Sequence, residues 1–380
     1  MTQIWYGKDF RLGMLGGGQL GRMFIQQALN YDLHVHCLDP DAEAPCHKLA
    51  SSFTVGSLTD YDTVYAFGKD KDVLTIEIEN VNVDALEKLE KEGITIYPQP
   101  SILKMIKDKG LQKEFYSKNN IPTSPYFLTE NAEETKKKAK IPYALKLRTG
   151  GYDGKGVQII KSKEDEKNIF DAPSLIEELI PFEKELSVIV ARNKDGETAC
   201  FPTVECEFSQ EANLVEFLFS PAEVNNEIEL KAQLLAKSVV DKMGFIGILA
   251  VEMFLLKDGN LLVNEVAPRP HNSGHQTIEG NITSQFEQHL RSILNLPLGS
   301  TEITQPSVML NLLGEKSYEG KAKYQGLEKI IGHKGVNVHL YGKQITKPFR
   351  KMGHITVVAK HMDEAKKLAY QVKKEISVIS

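Results

Sequence analysis

Two apolar runs, Ile248 to Leu256 and Asn260 to Val266, flank Asp258-Gly259, and little other than a β-hairpin suits that pattern. A two-residue turn at Asp258-Gly259 sets Glu252 directly opposite Glu265, with both side chains on one side of the ladder. The same face then carries Phe254, Leu256, Leu261 and Val263. Like charges opposed on such a face are destabilising. A shared divalent cation removes the conflict, and magnesium is the hard ion that joins one or two carboxylates to phosphates. A pair of solvated carboxylates at a sheet edge is the other arrangement the pattern allows.

The loop that follows, Pro268-Arg269-Pro270-His271-Asn272-Ser273-Gly274-His275, is cationic and rich in hydrogen-bonding groups, and its two prolines keep it irregular. Beside a carboxylate pair it suits an anionic substrate.

At 380 residues the chain is long enough for two or three domains. Its 46 basic and 51 acidic residues leave a net charge of −5 without a basic block, which argues against nucleic acid as the main partner. Lys136, Lys137 and Lys138 follow Glu133 and Glu134 and read as a solvated helix face. No apolar stretch is long enough to span a bilayer and the N-terminal residues do not read as a signal peptide, so a cytoplasmic protein without membrane partners is expected. Cys37, Cys46, Cys200 and Cys206 form no C-x-x-C pair, and free thiols without zinc are expected.

Residues 11–40 read strand, glycine turn, helix, strand, with Gly16, Gly18 and Gly21 in G-x-G-x-x-G spacing and Asp39 after the second strand. This specifies an anion at a helix N-terminus without naming it. Strands at 52–55, 73–78 and 95–97 alternate with helical segments such as 84–92, giving a parallel sheet. Glu77, Glu79 and Asn80 fall at a strand's C-terminal end, where open α/β sheets place ligands. Pro98 and Pro100 mark a boundary near residue 100, and a helical segment over 101–120 carries Lys107 and Lys109. From 143 the pattern is strand, glycine-rich loop, strand: YALKLR, TGGYDGKG, VQIIK. Four glycines in eight positions leave amides free to cover phosphates, and Lys146 enters the loop as a point charge. The β-branched continuation makes it a lid between strands, not a Walker loop. Leu175 to Ile180 form a short strand, Lys194-Asp195-Gly196 turn a further hairpin, and a helix over 227–243 ends at Gly244. Residues 305–380 form a small α/β tail with Lys343 and Arg350.

Lysine strand, glycine lid, base-edge strand and carboxylate hairpin together resemble the ATP-grasp superfamily. The strings GGGQLGRM at 16–23, TGGYDGKG at 149–156, NEVAPRPHNSGH at 264–275, and YGK and RKMGH in the tail resemble the family of N5-carboxyaminoimidazole ribonucleotide synthetases, from about residue 11 to 358. The resemblance implies an α/β fold of three parts: a Rossmann-like substrate-binding domain at 1–100, an ATP-grasp domain at 101–295 with its lid at about 123–190, and a small domain at 296–380. It implies ATP with Mg2+ or Mn2+ as cofactors, 5-aminoimidazole ribonucleotide and bicarbonate as substrates, and a homodimer.

By the same resemblance Glu252 and Glu265 hold the metal, with Asn264 at the phosphate end. Lys109, Lys146 and the lid residues Gly151, Tyr152, Asp153, Gly154, Lys155, Gly156 and Val157 contact the nucleotide. Glu177, Glu178, Leu179 and Ile180 line the adenine, and Glu185 holds the ribose. Arg269, His271, Asn272 and Ser273 hold bicarbonate or its phosphorylated form. The substrate nucleotide lies among Gly18, Gln19, Leu20, Glu77, Tyr152, Asp153, Lys343 and Arg350, with Lys343 also counted in the catalytic set. The chain departs from the family pattern at Lys109, where arginine is usual, and at Val157, Glu178 and Phe208, where glutamine, lysine and histidine are common. The alternatives are a related ATP-grasp ligase or formyltransferase acting on a different acid and amine, a nicotinamide dehydrogenase built on Gly16, Gly18, Gly21 and Asp39, and a non-catalytic nucleotide-binding protein.

Overall fold

The computed structural model describes residues 4–151, 156–209, 211 and 214–380. The first hundred residues wind a five-stranded parallel sheet in the order Ser52–Val55, His34–Asp39, Arg11–Leu15, Val73–Ile76, Thr95–Ile96. Strands this apolar need cover on both faces. The intervening helices Gln19–Leu29, Tyr61–Gly68 and Val83–Lys91 supply it, each burying one apolar stripe. The winding reverses between Arg11–Leu15 and Val73–Ile76, which brings Gly16 and Glu77 to one crevice at the strands' C-terminal ends.

The helical segment expected over 101–120 is two helices, Pro100–Lys107 and Lys109–Lys118. Asp108 breaks it. Its backbone is extended, and its carboxylate accepts from the Gly110 amide at 2.7 Å while gripping the Arg148 guanidinium at 3.0 and 2.7 Å. An aspartate that caps a helix start this way competes with continuation of the preceding helix.

Two antiparallel sheets follow. The smaller runs Tyr126–Thr129, Ser174–Glu178, Tyr143–Leu147, Val157–Ile160. The larger runs Leu261–Ala267, Gly247–Leu256, Phe182–Arg192, Val204–Phe208, Val215–Ser220, Ser307–Leu313, Lys351–Val358, Val336–Leu340, with Thr198–Cys200 paired beside Phe182–Arg192. One face of its first strands packs on the helix Asn226–Met243. Ala232, Ala236, Val239 and Val240 meet Val188, Val190, Leu249, Val251 and Met253 there, at or near zero exposure. Alternation sends Glu185, Glu252 and Phe254 to the opposite face, towards the smaller sheet. The helix Gln285–Ile293 ties the parallel sheet to this frame through Phe24, Phe286 and Leu290, with Thr75 Oγ1 2.9 Å from His289 Nε2. Among the described residues no helix is long and apolar enough to cross a membrane.

The helix Asn226–Met243 ends where Gly244 takes φ +61°, its amide satisfying carbonyls of the last turn. A Cβ at Gly244 would meet nothing within 4 Å, so a substitution there is opposed by backbone conformation alone. Gly244→Ala is expected to cost about 1 kcal/mol, read as a lower urea midpoint with unchanged secondary structure by circular dichroism.

Candidate active site

The hairpin forms, but with a different turn. Leu255 pairs with Leu261, and the chain reverses through Lys257, Asp258 and Gly259, with Gly259 at φ +80°. The Leu256 amide donates to the Asn260 carbonyl at 2.9 Å, and the Gly259 amide to the Leu256 carbonyl at 2.9 Å. A three-residue loop closed by a left-handed glycine shifts the register by one relative to a two-residue turn. As a result Leu261 and Val263, expected beside the carboxylates, pair with Leu255 and Met253 and face the core. Phe254 stays on the carboxylate face, stacked on Phe182 at 4.7 Å.

A bulge between Val251 and Met253 takes the shift back, so that Val251 pairs with Val266 and Ala250 with Ala267. Glu252 therefore lies against the Asn264-Glu265 step. A regular strand would send those two side chains to opposite faces. A bulge re-aims them: Lys146 Nζ donates to Asn264 Oδ1 at 2.9 Å, and Lys109 Nζ contacts Glu265 Oε2. The irregularity thus brings both residues of the step to the cleft.

The smaller sheet contributes the other wall. Lys146 and Glu177 are diagonal neighbours on one face of paired strands, and Lys146 Nζ lies 2.6 Å from Glu177 Oε2. The second Glu177 oxygen is 2.5 Å from Lys113 Nζ. Burial opposes the charge on Lys146, but Glu177 and Glu265 outweigh it and its pKa ends above the ordinary lysine value. Burial likewise raises Glu177, and Lys146 and Lys113 outweigh it downwards. Across the cleft, burial and then the Glu265 charge push Glu252 up, whereas Lys109 holds Glu265 down. Burial pushes Glu185, on the same face as Glu252, up to about 7.

Glu178, Leu179 and Ile180 stand where the chain passes from the smaller sheet to the larger, with Glu178 and Leu179 exposed. Glu177, expected to line the adenine, turns its side chain to the two lysines. Phe208 shares a small recess with Glu185, Cys206, Glu252, Phe254 and Asn264. Val157 opens its strand opposite Lys146, and Gly156 sits at φ +82°, where a Cβ would stand 3.0 Å from the Gly151 Cα. Tyr152, Asp153, Gly154 and Lys155 lie outside the described residues.

The loop after the hairpin is pinned from below. Gln285 accepts from the His271 amide at 2.8 Å and donates to the His271 carbonyl at 2.7 Å, and its Nε2 lies 3.1 Å from His275 Nδ1. His271 Nδ1 is 2.9 Å from Ser273 Oγ, which is 2.8 Å from Ser187 Oγ, while His271 Nε2 faces Glu252 Oε1 at 3.5 Å. Arg269 Nε reaches Glu79 Oε1 at 2.9 Å, joining this loop to the parallel sheet. The Asn272 side chain is 9% exposed, with neither polar atom hydrogen-bonded to another protein group. Such an amide is costly unless something binds it.

In the crevice of the parallel sheet the glycine-turn amides are engaged by this chain's own acids. Gly17 donates to Asp39 at 2.7 Å, and Gly18 and Gly21 donate to Glu77, the latter at 2.6 Å. Gln19 and Leu20 open the helix above. A dinucleotide pyrophosphate placed as in the dehydrogenase alternative would compete with these two carboxylates for the same amides. Lys343, in the tail, donates to the Lys351 carbonyl at 2.8 Å, and its neighbour Gly342 lies beside the Arg22 guanidinium of the helix Gln19–Leu29. Arg350 donates to the Ile345 carbonyl at 2.6 Å across its own turn.

Sequence reasoning missed Lys113, Gln285 and the Arg269–Glu79 pair. Lys113 follows Lys109 by one helical turn, a spacing that puts both on one face. The other two join segments distant in sequence.

The residues fit a divalent cation. Glu252 and Glu265 supply hard oxygens beside Asn264, and an ammonium already stands on Glu265. Among the described residues no group of three or more His, Cys, Asp or Glu forms a metal cage.

A profile of the ATP-grasp domain matches residues 114–286, one of the ribonucleotide synthetase preATP-grasp domain residues 10–107, and one of the phosphoribosylaminoimidazole carboxylase C-terminal domain residues 307–368. The N5-carboxyaminoimidazole ribonucleotide synthase of Bacillus subtilis is 37% identical over 93% of this chain and 92% of its own. The crystal structure of the Thermotoga maritima N5-carboxyaminoimidazole ribonucleotide synthetase superposes with a TM-score of 0.91 at 42% identity, covering 98% of this chain and 99% of that one. The Aspergillus clavatus N5-carboxyaminoimidazole synthase in complex with ADP and 5-aminoimidazole ribonucleotide gives 0.89 at 35% identity, covering 98% and 99%. The chain spans about two thirds of the length of the yeast phosphoribosylaminoimidazole carboxylases it also matches.

The ammonium on Glu265 generates a test that needs no turnover. Lys109→Met leaves Glu252 and Glu265 opposed without their cation, so its melting temperature should fall in EDTA. Magnesium should then raise it by more than it raises the wild-type protein, as expected of an ion that binds the folded state, read by scanning fluorimetry.

Proposed function

Because this chain belongs to the N5-carboxyaminoimidazole ribonucleotide synthetase family of ATP-grasp proteins, we propose that it carboxylates 5-aminoimidazole ribonucleotide with ATP and bicarbonate, releasing ADP and phosphate, in purine biosynthesis. The observation that carries the reading is the convergence on one cleft of Lys109, Lys146, Asn264, Glu252 and Glu265, with the His271–Ser273 loop alongside. That is a phosphate-binding wall next to a pocket for a small acid.

Phosphoryl transfer leaves a protein little covalent chemistry, so positioning and charge must supply most of the acceleration. Lys146 and Lys109 hold the nucleotide phosphates, and the glycine loop covers them with backbone amides. Glu252 and Glu265 hold magnesium, or manganese, which shares magnesium's preference for oxygen ligands. Bound there, the ion neutralises phosphate charge and orients the γ-phosphoryl group. Arg269, His271 and the unpartnered Asn272 amide bind bicarbonate, whose oxygen attacks that group to give carboxyphosphate. The Ser187–Ser273–His271 chain fixes the imidazole. The exocyclic amine of the substrate, held in the crevice by Glu77, Lys343 and Arg350, then takes the carboxyl group. Glu77 suits this task as an acceptor: burial raises its pKa, and the Gly21 and Gly18 amides pull it back.

The proposal extends to a homodimer working in the cytoplasm, where its small, charged reactants are dissolved. ADP release in magnesium, ATP and bicarbonate should depend on added 5-aminoimidazole ribonucleotide; an equal rate without it would overturn the substrate. Glu265→Gln should lower turnover roughly a hundredfold or more while circular dichroism stays unchanged, and full activity in that variant would remove the metal role from the hairpin.

A further inference from the structure

Lys113 lies on a helix behind the cleft at 2% exposure, and lysine is almost never buried so deeply without a partner. Its partner is Glu177, equally enclosed, and the carboxylate is divided: one oxygen faces Lys113 at 2.5 Å and the other Lys146 at 2.6 Å. Lys113 also donates to Thr123 Oγ1, which donates to the Val263 carbonyl at 2.7 Å, next to Asn264 and Glu265. Two lysines and one glutamate carry one net positive charge. A Lys146–Glu177 pair alone would carry none, and Lys146 would present phosphates with a neutralised ammonium.

We propose that Lys113 is a positioning residue for nucleotide binding: by sharing the Glu177 carboxylate it anchors Glu177 and leaves Lys146 with net positive charge for the phosphates. This rests on the reading of Lys146 as a phosphate contact and adds a residue that touches no substrate.

The charge count makes the idea separable from a merely structural ion pair. Lys113→Met leaves Glu177 wholly on Lys146, a neutral pair. Lys113→Met with Glu177→Gln restores one positive charge at Lys146. Affinity for a non-hydrolysable ATP analogue with magnesium, measured by titration calorimetry, should fall on the order of tenfold or more in Lys113→Met, recover most of that loss in the double variant, and stay near wild type in Lys113→Arg. A double variant binding no more tightly than Lys113→Met, or wild-type affinity in Lys113→Met, would overturn the proposal. If Lys113→Met does not fold, Lys113→Gln, which can still bond Thr123, takes its place with the same two expectations. Because the titration reads ATP alone, wild-type protein that binds the analogue but does not carboxylate the aminoimidazole nucleotide would overturn the substrate and not this inference.

Discussion

The carboxylates Glu252, Glu265 and Glu177 are held in one cleft with Lys109 and Lys146, with Lys113 behind them, and the frame around it is organised to keep them there. Glu252, Glu265 and Glu177 would each be costly to bury alone. Lys109 offsets that cost at Glu265, and Lys113 and Lys146 offset it at Glu177. The helix Asn226–Met243 and the packed face beneath it fix one wall, the smaller sheet fixes the other, and the charges bridge the gap. Phosphates and a divalent ion entering such a cleft exchange existing partners and need not create a charged site from an apolar one.

The carboxylate hairpin shows how a sequence pattern can be right in outcome and wrong in detail. Asp258-Gly259 correctly marks the reversal, yet Lys257 belongs to the loop as well, and the extra residue moves Leu261 and Val263 to the core. The bulge near Glu252 then restores the facing of the two acids and carries Asn264 along. Neither irregularity is visible in residue types alone, since both follow from how the strands must pack on the helix behind them.

Much of the rest was legible because it is local. The strand-turn-helix at the start, the Gly244 stop and the surface helix with its lysines paired to Glu133 and Glu134 depend on neighbours a few residues apart. What escaped reading depends on distant contacts. The break at Asp108 involves Arg148, Lys113 requires Glu177, and Arg269 requires Glu79. The glycine turn lies between these cases. Its spacing announces an anion at a helix start, and the anion proves to be Glu77 of the same chain, which makes the crevice a collection of acceptors where the motif by itself suggests donors.

The larger sheet runs without interruption from the carboxylate hairpin to Val336–Leu340, crossing from the central part of the chain to its tail where Val215–Ser220 pairs with Ser307–Leu313. The tail is therefore no appendage on a tether. Without it, Phe217, Leu218 and Phe219 would border an unpaired, strongly apolar strand edge, the kind of surface that recruits other chains. The pairing that carries the tail thus also covers that edge, and a lineage that lost the tail would have to rebuild an edge as well as the Lys343 segment it carries.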